Sequence, residues 1–414
     1  MYRQQYPGDP GMHNMGGNSH TRVSYRHNPT FFERIGNSLV GILVGLVILT
    51  GASCLVFWNE GRAVQTAKSL DEGLRVVLPL GANEVAFDEN NGKLVHISGL
   101  LRTDKMLEDS LYKISTPSVK LKRKVEMYQW VEHETKREYN EGGQTRVETT
   151  YSYSQEWSSD LIRSSSFDNS VSHVNPESMS VQSLTLVAHE VRVGNFFLSN
   201  SLVEKITDYK PLNLPGPSPG RPHHQVFQRS SLPQCQPHTA PGYVGDLRVT
   251  FEYAGLSGDS ELGPPAQVSI IAKQHGRQLV EYRTEAGNNL EILHFGNLSP
   301  KEIFGLEQAQ NSMLTWAIRF AGWLMMFVGF GCLTSIVTTL VDWLPIIREL
   351  VGMGVAVMNL SLSISLSLTV IALGWIRYRP WLGCAILAMA LTPLFLSRFR
   401  FRQSSHSYNS YRGR

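Results

Sequence analysis

Four runs of the chain carry no formal charge: Leu39–Trp58 (20 residues), Phe320–Val341 (22), Leu350–Ile376 (27) and Pro380–Ser397 (18). A helix needs roughly 20 apolar residues to cross about 30 Å of hydrocarbon, so these runs predict four spans, the last with the least margin. Inside the third, Asn359–Thr369 reads NLSLSISLSLT and alternates polar with apolar residues, the period of a half-buried strand. A lone strand in lipid leaves its backbone groups unpaired, and no companion segments offer a barrel, so the serines are assigned to a helix. At about 100° per residue, Ser361 and Ser365 share one face, and Ser363 and Ser367 share another. Both pairs have the small-xxx-small spacing that lets helices approach closely, as do Gly41 and Gly45 in the first run. These six residues are the expected helix-packing and oligomerisation positions. One serine face serves a neighbour in the bundle and the other a second copy.

Between the first two runs the pattern changes. Ala63, Ala67, Leu70 and Leu74 fall on one stripe at helical spacing, which predicts an amphipathic helix continuing out of the membrane. Beyond it KLVHISGLL, KVEMYQWVEHE and RVETTYSYSQEW alternate with period two and are rich in β-branched and aromatic residues. Asn140–Gly143 (NEGG) supplies a hairpin turn between the last two, and His275-Gly276 marks another turn further on. An antiparallel sandwich or curved sheet is expected. The fold class is therefore an α+β membrane protein, with four transmembrane helices and one large β-rich lumenal domain between the first and second spans. Its expected parts are a disordered tail (1–34), a first transmembrane helix (35–58), the β-rich domain (59–312), helices at 313–341, 350–376 and 380–397, and a basic tail (398–414). Pro and Gly mark residues 211–242 as a long loop within the β-rich domain.

Overall composition conceals the membrane. A mean hydropathy of −0.15, 42% hydrophobic residues and 18% charged residues average short apolar runs with a long polar segment. Six of the eight tryptophans lie in or beside the runs, where an amphipathic ring prefers the headgroup region. The opening residues lack the apolar core of a signal peptide, so the first span is expected to serve as address and anchor. A net charge of +3 gives no sign of nucleic-acid binding, but the charge is localised. Arg398, Arg400, Arg402, Arg412 and Arg414 follow the last run without an acidic residue, which predicts a cytosolic or nucleoplasmic C-terminus, and with four spans an N-terminus on the same side. Arg377 and Arg379 run against this orientation and are outnumbered. Cys235 is the one cysteine between the first two runs, so no disulfide is expected there.

Candidate chemistry is sparse. No phosphate-cradling glycine loop, nucleophile elbow or metalloprotease helix motif occurs, so no enzyme activity, catalytic residue or cofactor is expected. His223, His224, Cys235 and His238 are zinc-ligand types at no standard spacing, and metal binding is not expected. Asn297-Leu298-Ser299 is a glycosylation acceptor pattern that Pro300 is expected to hinder. Arg319, at the edge of the second run, reads as a snorkelling side chain, and Leu in its place is expected to leave activity intact.

Seven separated blocks, FWNEGRAVQTAKSLDEGL, GKLVHISGLLRT, VKLKRKVEMYQWVEHE, GDLRVTFEYAGLSGD, TWAIRFAGWLMMFVG, LVDWLPIIRELV and GWIRYRP, occur in the order found in the transmembrane protein 43 (LUMA) family. The chain resembles that family from about Phe31 to Arg402 and departs from it in the first 30 residues and the Pro/His-rich loop. The resemblance implies a multi-pass protein of the inner nuclear membrane and endoplasmic reticulum that self-associates and helps to organise the nuclear envelope with lamins and emerin. It carries no catalytic residues. The combined expectation is a non-enzymatic scaffold that forms homo-oligomers, with no nucleic acid and no small-molecule substrate. The alternative is a channel-associated or transport subunit, the serine face of the third span lining a polar path.

Overall fold

The computed structural model describes residues 18–81, 88–212, 225–227, 243–341, 345–376, 380–381, 383–389 and 392. Most of the Pro-rich loop, including its histidines and Cys235, lies outside the described residues, as do Arg398, Arg400 and Arg402.

The strands in chain order are β1 (Ser19–His27), β2 (Leu78–Gly81), β3 (Leu94–Thr103), β4 (Leu107–Asp109), β5 (Ile114–Thr116), β6 (Ser118–Glu141), β7 (Gln144–Ser158), β8 (Leu184–Val187) and β9 (Val191–Val193). They continue with β10 (Phe196–Leu198), β11 (Tyr209–Pro211), β12 (Gln225–Phe227), β13 (Leu247–Leu256), β14 (Gln267–His275), β15 (Gln278–Val280), β16 (Tyr282–Arg283), β17 (Asn289–Leu290) and β18 (Ile292–Phe295). The helices are α1 (Phe31–Val76), α2 (Asn200–Glu204), α3 (Pro300–Leu340) and α4 (Pro345–Ile376). Two compact units result. A β-rich unit takes Met1–Asn28, Pro79–Val280 and Glu291–Leu298, and a helical unit takes Pro29–Leu78, Glu281–Leu290 and Ser299–Arg414.

In the β-rich unit, β6 and β7 form a hairpin closed by Gly142 and Gly143, both at positive φ (56° and 86°). Two such residues give the primed turn whose twist suits a two-residue hairpin loop. The turn falls within the expected NEGG, but the strands run further in both directions than their alternation alone marks. One sheet orders its strands β1-β7-β6-β13-β11, with β8 also on β6 and β12 on β13. Its core holds Leu121, Val125, Met127, Leu247, Val249 and Phe251. Burial alternates along Leu247–Tyr253, as expected when one face of a strand meets the core and the other does not. In the second sheet β3 pairs with β14 and β9, β9 with β10, β10 with β15, and β15 with β14, so the pairings close into a ring. Leu94, Ile97, Leu101, Phe196 and Leu279 are fully buried in these strands, and burying such side chains stabilises the unit by about 1.5–3 kcal/mol each.

The tail expected to be disordered contains a strand. Ser19–His27 pairs antiparallel with Gln144–Ser152 over nine residues, and helix α1 begins four residues later. Residues 1–17 lie outside the described residues.

In the helical unit three helices, Phe31–Val76, Pro300–Leu340 and Ile346–Ile376, are long and apolar enough to cross a membrane. The fourth expected span at 380–397 lies partly outside the described residues, and within it Pro380, Trp381, Gly383–Met389 and Thr392 are helical. The β-rich unit is narrower than the expected 59–312, because α1 and α3 continue beyond their apolar runs without a break. At about 1.5 Å per residue α1 is about 69 Å long, more than twice the hydrocarbon thickness. Both helices start with a capping box, Thr30 with Glu33 and Ser299 with Glu302, and Pro300 takes the first turn of α3. On the extension of α1, Leu70 is buried, but Leu74 is exposed and Gly73 takes its inward place. A Cβ on Gly73 would lie 2.6 Å from Leu290 Cδ1 and 2.8 Å from Phe304 Cζ, so a larger side chain does not fit.

Candidate functional site

Three helices are joined by stripes of small residues. On α1 the buried positions Leu49, Ala52 and Val56 recur at three- and four-residue steps, and Glu60 continues them. On α3 Thr315, Gly322, Met326 and Gly329 do the same, and Arg319 falls on that stripe. A Cβ on Gly45 would come within 2.7 Å of the Gly329 carbonyl oxygen, and one on Gly329 within 2.8 Å of Leu49 Cγ. Glycine at both positions lets α1 and α3 approach backbone to backbone. Gly41 faces Ser335 of α3, its Cβ position 3.5 Å from the hydroxyl oxygen. Both glycines chosen from the sequence thus pack against α3 of the same chain.

At the end of these stripes the apolar contacts give way to charge. Arg319 donates through Nε to Glu60 Oε1 at 2.6 Å and through a terminal nitrogen to Oε2 at 2.7 Å, a bidentate pair. Trp375 of α4 donates its indole N–H to the same Oε2 at 2.6 Å. One carboxylate therefore holds three helices together. Its side chain is 1% exposed, and that of Arg319 is 14% exposed with the guanidinium over the Trp316 ring at 4.9 Å. Gly374 lets α4 close on this point, since a Cβ there would lie 2.7 Å from Glu60 Cβ. Arg319 is not a lone snorkelling side chain, because it is paired with the buried carboxylate of Glu60.

A second polar layer adjoins the first. Arg62 donates to Asn59 Oδ1 (3.1 Å), Asn311 Oδ1 (3.1 Å) and Thr315 Oγ1 (3.3 Å), while Asn311 donates to the Ala63 carbonyl (3.0 Å). Asn59 reaches the Thr315 carbonyl at 3.3 Å. Toward the other end of the bundle, the Ser38 and Thr339 hydroxyls meet at 3.0 Å, and Asn359 donates to Thr334 Oγ1 at 2.8 Å.

The serine helix divides differently from its two expected faces. Ser363, Ser365 and Ser367 are buried within the chain and Ser361 is exposed. The Ser363 hydroxyl bonds back to the Leu360 carbonyl at 2.9 Å, the local bonding common for hydroxyls in helices. Ser361 and Ser365, expected to share one face, thus differ in exposure. Asn297 is exposed and accepts from the Ser98 hydroxyl at 2.8 Å, while Ser299 caps α3. Among the described residues no group of three or more His, Cys, Asp or Glu side chains is placed to hold a metal ion.

The Glu60–Arg319 pair was the feature missed from the sequence. Each residue borders an apolar run and reads singly as a flank. The available signal was phase, because each charge continues the small-residue stripe of its own helix.

The family model described as Transmembrane protein 43 matches residues 127–380. Proteins named Transmembrane protein 43 from Rattus norvegicus and Homo sapiens are each 44% identical over 382 residues, covering 92% of this chain and 95% of theirs. The Transmembrane protein 43 homolog of Drosophila melanogaster is 32% identical over 362 residues, covering 85% of this chain and 92% of its own. No solved structure matches.

Proposed function

The chain belongs to the transmembrane protein 43 family, and from that premise we propose that it is a non-enzymatic multi-pass scaffold of the inner nuclear membrane and endoplasmic reticulum. In this reading both termini face the cytosol or nucleoplasm, and residues 59–312 are lumenal. The chain self-associates through its membrane helices and helps to organise lamins and emerin, with the basic tail meeting lamina proteins or anionic lipid.

The observation that carries the reading is the bidentate Glu60–Arg319 pair with Trp375 on the same carboxylate. A buried carboxylate with its charge and lone pairs committed to two neighbouring helices fixes geometry and leaves nothing to bind a passing ion. Ser38 with Thr339 and Asn359 with Thr334 extend this use of polar groups for packing, although Asn359 Oδ1 remains a buried acceptor without a donor. These contacts favour a packed bundle over a polar path along the serine helix. Cysteine scanning of Ser361–Ser367 separates the two readings. The scaffold predicts that Ser363→Cys and Ser367→Cys resist water-soluble thiol reagents in intact membranes, and rapid labelling of both would support the transport reading. Self-association is tested by blue-native electrophoresis with and without Ser361→Leu, on the exposed position of the serine helix. A monomer in both cases would contradict the scaffold.

A further inference from the structure

We infer that the edge of β7 is a docking site for an extended basic segment of a lumenal partner, and that β1 occupies the edge as a stand-in. The inference rests on the topology proposed above. Only Asn28, Pro29 and Thr30 separate β1 from α1, a reach of about 11 Å even when extended. If Leu39–Trp58 crosses about 30 Å of hydrocarbon, Ser19–His27 stays on the side the helix starts from. Gln144–Ser152 follows the crossing, and none of the apolar helices lies between Val76 and Gln144. In the inserted protein the two strands therefore stand on opposite sides, and β1 of a second copy inserted the same way is equally out of reach. The β1–β7 ladder and a single crossing by α1 exclude each other.

An uncovered β7 edge then presents nine residues, Gln144–Ser152 (QTRVETTYS), rich in Thr, Val and Tyr and without proline. Such an edge invites strand addition. The seated β1 shows what chemistry fits. Arg22 pairs with Asp168 at 2.8 Å, His20 meets the other oxygen of the same carboxylate, and Arg26 approaches Glu138 at 3.7 Å. With β1 seated, the two carboxylate oxygens of Asp168 are turned to His20 and Arg22 of the added strand. Behind it Glu132 accepts both the Asp168 backbone N–H and the Tyr153 hydroxyl, at 2.6 Å each, while His20 stacks on Tyr151 at 5.2 Å between ring centres. Main-chain pairing supplies affinity along the edge. An acid facing alternate positions of the added strand selects basic residues two apart.

The test uses the full-length chain, with Cys235→Ser, in lipid nanodiscs. Thr21 and Thr150 are directly paired with their hydroxyls 3.0 Å apart, so Thr21→Cys with Thr150→Cys reports cis pairing by disulfide formation. A labelled peptide of sequence SHTRVSYRH reports the edge by fluorescence anisotropy. The expected result is no intramolecular disulfide, saturable peptide binding, and at least tenfold weaker binding with Asp168→Asn in the protein or Arg22→Glu in the peptide. Disulfide formation in the nanodisc would overturn both the topology and the docking site. Absence of the disulfide with no binding, or with binding indifferent to both changes, would overturn the docking site and leave the topology standing.

Discussion

Glu60 and Arg319, 259 residues apart in the chain, meet through two hydrogen bonds in the interior of the helical unit. Burying a carboxylate and a guanidinium is costly, and removing one partner leaves the other charge without compensation. Arg319→Leu is therefore expected to destabilise the helical unit by about 3–5 kcal/mol. Glu60→Gln with Arg319→Leu removes both charges and is expected to cost less than the sum of the single changes. Thermal unfolding of detergent-solubilised protein, arranged as a double-mutant cycle, measures the coupling. Additive effects would show that the pair is not coupled.

Gly45 and Gly51 lie on the same helix and differ in what surrounds them. A Cβ at Gly45 meets the backbone of α3, whereas nothing lies within 4 Å of one at Gly51. Backbone cannot rotate away as a side chain can, so Gly45→Val must push α1 off α3, whereas Gly51→Val is expected to be nearly neutral. Folded yield after extraction and melting temperature should fall for the first variant only.

Ser365 is buried in the chain and Ser361 is not. A leucine at 365 overfills a packed site, at a cost of about 1–3 kcal/mol, and at 361 it meets no such limit. Ser365→Leu is expected to lower the stability of the single chain, with Ser361→Leu unchanged. Equal melting temperatures for the two variants would contradict the burial difference.

His96 is buried in the β-rich unit, its Nε2 2.9 Å from the Leu298 carbonyl. Burial lowers its pKa below the ordinary 6.5, against the pull of that carbonyl bond, so the folded state resists protonation. Below pH 6.5 the unfolded chain takes up a proton that the folded chain refuses until its own lower pKa, so this residue makes the unit less stable as pH falls through that window. His96→Gln removes the penalty. Unfolding midpoints at pH 7.5 and pH 5.5 should differ less in the variant than in the parent chain.

Much of the architecture was legible because it depends on local period. The uncharged runs marked three of the observed helices, and Gly142-Gly143 between two alternating segments marked the long hairpin. The stripe of Ala63, Ala67 and Leu70 announced the continuation of α1, but that of α3 over residues 300–312 was polar enough to read as part of the β-rich domain, although the Ser299 cap was a visible signal. Strand β1 was hidden for a different reason. Its alternation is of polar residues, SHTRVSYRH, and its partner lies more than a hundred residues away, so no local hydrophobic pattern reports the pairing. The Glu60–Arg319 pair depended on helical phase across two distant segments. Composition averages such a relationship away.

The side of the membrane occupied by the β-rich unit tests the central claim most directly. Val171, an exposed residue of that unit, and Ser405 in the basic tail are each replaced by Cys in a Cys235→Ser background, and cells are treated with a membrane-impermeant maleimide after permeabilising the plasma membrane alone. The account predicts labelling of Ser405→Cys at once and of Val171→Cys only after all membranes are opened. Labelling of Val171→Cys from the cytosol would contradict it.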